Sequence, residues 1–135
     1  MDISELDKDI IELIERKSKL GELDYNSSKY DELEEELHDL EDGFLEKYGD
    51  FLEDVLHEVH DEYCPDNEVL LPIAYIPSRV TVKEGEYDVP SDQGVYVEAD
   101  DYESNETKLV LLPSPTRVVL LVSPSQKEVV WTAKG

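Results

Sequence analysis

From Leu33 to Val59 an apolar residue recurs at steps of 4, 3, 4, 4, 3, 4 and 4, through Leu37, Leu40, Phe44, Tyr48, Phe51 and Val55. A mean step of about 3.7 residues keeps one face of an α-helix apolar over its whole length, closer to an 11-residue repeat than to a heptad. Gly43 and Gly49 fall inside this run. Each costs about 1 kcal/mol relative to alanine in a helix interior, but neither shifts the phase of the stripe. The spacing predicts one continuous helix from Ser28 to Tyr63, roughly 54 Å long, with a kink at Asp42-Gly43 as the alternative.

A shorter helix precedes it. Asp2 and Glu5 have the spacing of a capping box, and Ile3, Leu6, Ile10, Leu13 and Ile14 follow at helical steps. Arg16, Lys17 and Lys19 complement the last turn, and Gly21 is expected as the residue just beyond a helix ending near Leu20. Ser27 or Ser28 is expected to cap the second helix. The first helix covers only half of the second, so the stripe from Phe44 to Val59 needs another partner.

The sequence after Cys64-Pro65 changes character. VLLPIAYI, RVTVK, GVYVEAD, TKLVLL, RVVLLV and EVVWTA are short apolar runs separated by Pro, Gly, Ser and Asn, which read as strands. RVVLLV is apolar on both faces and is expected at the centre of a sheet, whereas Pro72 assigns VLLPIAYI to an edge or a bulge. The fold class is α+β: an N-terminal helical hairpin with a long second helix, followed by an antiparallel β-sheet, a meander of about five strands. Residues 1–135 are expected to form a single domain, with 1–64 as the acidic helical hairpin and 69–135 as the sheet.

Charge separates the two halves. The chain carries 35 acidic and 12 basic residues, a formal net charge of −23. Residues 1–68 hold 25 acids and 6 bases, whereas residues 69–135 hold 10 and 6. Such a surface repels nucleic-acid phosphate and anionic lipid, so neither nucleic acid nor membrane is expected as a partner. No apolar run approaches the about 20 residues of a membrane span. The segment MDISELDKDI lacks a basic region followed by an apolar one, and Cys64 is the only cysteine, so a reducing cytoplasm is the expected location.

The stretch LHEVHDEYC, residues 56–64, gathers the residue types that ligate metals. At 100° per residue, Glu53, His57, His60, Asp61 and Cys64 share one helix face, and histidines three apart can chelate zinc. Against this, HEVH lacks the three-residue spacing of the HExxH protease helix, and no second Cys or His cluster completes a tetrahedron. This face is expected to be solvated helix surface pointing away from the packing stripe, without bound metal. Asp101, Glu103, Asn105 and Thr107 have the alternation that begins a calcium loop, but position 6 is Glu106 and position 12 is Leu112, which reads as a polar hairpin loop instead. Ser78, Ser91, Ser104, Ser114, Ser123 and Ser125 lie in turn-like settings with no histidine beside them. The eight tyrosines, including Tyr25, and Trp131 read as core or half-buried aromatics, with an interface as the alternative.

These features describe a non-catalytic, cofactor-free, acidic protein-interaction module whose partner is a protein or a second copy of itself. The alternatives are an electrostatic mimic that occupies a basic cleft, and a metal-dependent protein built on His57, His60 and Cys64.

Overall fold

The computed structural model describes residues 2–24, 26–90, 92–102 and 106–133. Helix α1 runs Ile3–Gly21, and the Asp2 carboxylate accepts the Glu5 amide at 3.2 Å, as the capping spacing requires. Its buried face is Leu6, Ile10, Leu13 and Ile14. Gly21 is the last helical residue rather than a left-handed C′ position; Glu22 follows with right-handed backbone (φ −83°), and its amide donates to the Lys19 carbonyl.

Helix α2 is Tyr30–Tyr63, 34 residues without a break at Gly43 or Gly49. It starts two residues later than the spacing predicted. The Ser27 hydroxyl accepts the Lys29 amide at 3.3 Å, while Lys29 is the N-cap and makes no side-chain cap bond. The helices run antiparallel. Arg16 pairs with Glu36 at 3.0 Å, Lys47 bridges Glu5 and Asp9, and the Tyr48 hydroxyl donates to Asp9 at 2.7 Å. That register leaves α2 beyond Tyr48 without α1 beside it. The second half of the chain fills the gap: Phe51 meets Trp131 edge-on at 6.0 Å, and His60 stands against Tyr75.

The expected meander is present as β3 (Val95–Val97), β4 (Thr107–Leu112), β5 (Arg117–Ser123) and β6 (Gln126–Thr132), antiparallel in that order. β5 is central, as its two-sided apolar run required. Leu109, Leu111, Val118, Leu120 and Val122 face the helices, and Val110, Leu112, Val119 and Leu121 form a second cluster with Val89 on the far side. Each fully buried aliphatic here contributes about 1.5–3 kcal/mol relative to exposure.

The segment before the meander departs from expectation. VLLPIAYI is not a strand: Pro72, with Leu71 extended before it, opens a 3-10 helix at Pro72–Tyr75. RVTVK supplies β1 (Thr81–Lys83), which pairs with β2 (Glu86–Asp88) in a separate two-stranded hairpin. Glu84 (φ 54°) and Gly85 (φ 82°) make the two-residue turn with both centres left-handed. Arg117 donates to the Tyr87 carbonyl at 2.8 Å, and Lys127 to Asp88 Oδ1 at 2.5 Å and to the Val89 carbonyl at 3.0 Å. These bonds hold the hairpin's base against the far face of the sheet.

Two polar ties join α1 to the rest. Asp7 Oδ1 accepts the Ser114 amide at 3.2 Å and the Thr116 hydroxyl, fixing the β4–β5 turn that contains the cis Ser114–Pro115 bond. Lys17 Nζ donates to the Ile73 and Ile76 carbonyls at 3.0 and 2.9 Å, the end of the 3-10 helix where positive charge is favoured. Burial pushes the Lys17 amine below its ordinary pKa, with Glu41 opposing the shift.

Candidate docking face

The metal-ligand types of LHEVHDEYC separate instead of converging. His57 and Asp61 are exposed and Glu53 is half-buried, but His60 is 2% exposed and Cys64 0%. The expectation of a wholly solvated face is therefore corrected: two of its five residues are core. Leu52, Leu56, His60 and Cys64 recur every four residues beside the main stripe, and Leu52 and Leu56 are each 1% exposed. The buried arc widens to about 180°, from Val55 round to Cys64, where α2 meets both the 3-10 segment and the sheet. Among the described residues no three His, Cys, Asp or Glu side chains come together as a metal would need.

His60 is a fully bonded core histidine. Its Nε2 lies 2.9 Å from the Tyr75 hydroxyl, which also accepts the Leu70 amide at 3.1 Å, and its Nδ1 lies 3.1 Å from the Asn67 carbonyl. One arrangement satisfies all three contacts: Nδ1–H donates to Asn67 O, and the Tyr75 O–H donates to Nε2. The ring is neutral in that state. Burial lowers its pKa, His57 adds to the shift, and the Asn67 bond and Asp61 oppose it. Cys64 is equally unsuited to chemistry, since burial, then Asp100, raises its thiol to about 11.

The calcium-like alternation is divided as well. The Thr107 hydroxyl donates to the Val97 carbonyl at 2.6 Å and accepts the Ala99 amide, so it serves the β3–β4 corner. Asp101 sits in a 3-10 turn, Asp100–Tyr102. Glu103 and Asn105 lie outside the described residues, as do Tyr25, Ser91 and Ser104. Of the tyrosines, Tyr48 and Tyr75 are buried, whereas Tyr96 is 53% exposed.

Among the described residues, surface recesses lie on two sides of the molecule. One lies between Phe51 and Val129 to Thr132 on β6, a wide recess of about 640 Å³. The adjoining edge strand is blunted for pairing, because the β5–β6 register shifts between Val118 and Val119 and leaves Val130 as an extra residue. The other is a groove of about 230 Å³ on the open side of the helical hairpin. Leu13, Leu40, Gly43 and Phe44 line it, and Asp9, Glu12, Asp39 and Lys47 surround them. A second recess along the same helices, lined by Arg16, Glu36, Asp39 and Leu40, shares Asp39 and Leu40 with it. The sequence marked Gly43 only as a threat to helix continuity. A β-carbon at this glycine would meet nothing within 4 Å, so nothing in the fold's own packing requires it, although it costs about 1 kcal/mol in helix propensity.

The chain matches no protein-family model, and no curated protein or solved structure proved similar to it. Among the described residues, no helix is long and apolar enough to cross a membrane.

Proposed function

We propose that this chain is a non-catalytic protein-interaction module of the cytoplasm, and that the open face of its α1–α2 hairpin meets a basic surface on another protein. The observation that carries this reading is the groove with an apolar floor and an acidic rim, set in the half of the chain whose net charge is −19 (6 bases against 25 acids). Carboxylates alone would give steering and no specificity, whereas half-buried Leu40, with the core residues Leu13 and Phe44 beneath it, adds a small apolar contact that a partner can cover. The cytoplasmic assignment rests on a lone cysteine kept as a buried thiol.

Capture of partners on the immobilised full chain from source-cell extract, followed by a salt series, tests this reading. Exposed charges act over about 8 Å at physiological ionic strength and about 3 Å at 1 M. A basic partner seated on an acid-rimmed apolar groove weakens with salt yet stays detectable. Complete loss at moderate salt supports the electrostatic mimic instead. Indifference to salt refutes an acidic docking face.

A further inference from the structure

We propose that the groove at Gly43 receives one lysine or arginine side chain from a basic segment of the partner. This deepens the reading above by naming the site and the chemistry of its occupant. The aliphatic stem lies over Leu13, Leu40 and Phe44, and the cationic head reaches Glu12 and Asp39 on the rim.

At about 230 Å³ the groove has room for a long side chain, and the recess of about 410 Å³ that shares Asp39 and Leu40 with it continues along the helices, where the rest of a basic segment would lie. Charge selects the sign of the occupant. Three carboxylates face one amine on the rim, and that amine, Lys47 Nζ, is already bonded to Glu5 and lies 3.6 Å from Asp9. Glu12 keeps only a 3.9 Å contact with Arg16. A second copy of the chain is a poor source of the cation. It repeats the charge of −23, so two acidic faces brought together repel each other.

Gly43 is the independent sign. Any side chain there would project into the groove that the glycine lines, and the fold itself has no use for the missing β-carbon. The site therefore separates stability from binding. The full chain, labelled with 15N, is titrated with a capped 14-residue helical peptide of leucine and lysine, and with the same peptide carrying glutamine for lysine. Shifts centred on Glu12, Leu13, Asp39, Leu40 and Gly43 with the lysine peptide, and none with the glutamine peptide, are expected. Gly43→Leu is expected to weaken binding at least tenfold without lowering the melting temperature, and Gly43→Ala to raise that temperature by about 4 °C. Asp39→Asn is expected to weaken binding about threefold, whereas Glu53→Gln, an equal loss of charge elsewhere on α2, leaves it within twofold. The proposal is overturned if Gly43→Leu binds as wild type, if Glu53→Gln matches Asp39→Asn, or if the lysine peptide does not bind. A natural partner that remains salt-sensitive and still binds Gly43→Leu would preserve the broader reading while removing this site.

Discussion

Protonation of His60 is predicted to cost this fold stability as pH falls through 6.5. His60 is buried with Nδ1–H donated to Asn67 O and Nε2 accepting from Tyr75, whose oxygen in turn accepts the Leu70 amide. A proton added to Nε2 would turn that acceptor into a second donor facing the Tyr75 oxygen and would leave the Tyr75 proton without a partner. The folded state therefore holds the pKa of His60 below its ordinary 6.5, with burial as the largest cause. Below pH 6.5 the unfolded chain binds a proton that the folded chain refuses, so stability falls as pH falls. The ceiling on the slope for one proton is about 1.4 kcal/mol per pH unit. Acidification also eases repulsion among the 35 acidic residues, so the difference between the wild-type and His60→Gln curves isolates the histidine. Urea denaturation at pH 7.5, 6.5, 5.8 and 5.0 gives the slope directly. His60→Gln lowers stability throughout but removes the histidine's share of the slope, whereas His57→Gln, at an exposed position, keeps it. A wild-type curve parallel to that of His60→Gln refutes the assigned hydrogen-bond pattern.

Two other side chains make their own predictions. Asp7→Ala orphans the Thr116 hydroxyl, which is fully buried, and the Ser114 amide; a loss of about 2 kcal/mol in a urea melt is expected, with Asp7→Asn, which keeps one acceptor, costing less than half as much. Cys64, fully buried and with its thiol raised to about 11, is expected to resist iodoacetamide at pH 8 for hours when folded and to be alkylated within minutes in 6 M guanidinium, as followed by mass spectrometry.

The long-range architecture was legible because it depends on period. The phase of Leu37, Phe44, Val55 and Val59 predicted an unbroken α2, and the two-sided apolarity of β5 predicted its central place. Local geometry was less legible. Pro72 turned an apolar run into a 3-10 helix, and the Glu84-Gly85 turn built β2 from EYD, which has almost no strand character of its own. His60 and Cys64 are core because the buried face of α2 is wider than the single apolar stripe. The row of Leu52 and Leu56 already leaned toward the two polar residues, and a histidine at the end of such a row is core when a hydroxyl waits opposite. Nothing in the sequence alone could place Tyr75 there. Gly43 illustrates the converse limit: its spacing showed that the helix continues, but only the position of α1 across from it reveals that the glycine opens a groove.

The proposed function makes the acidic hairpin, and not the sheet, the working surface. Amide hydrogen exchange on the full chain, free and bound to its captured partner, tests this most directly. The account predicts new protection along residues 9–17 of α1 and 36–47 of α2, with unchanged exchange in the β1–β2 hairpin and along β6. Protection concentrated on β6 or on the β1–β2 hairpin, with the hairpin helices unaltered, would contradict it.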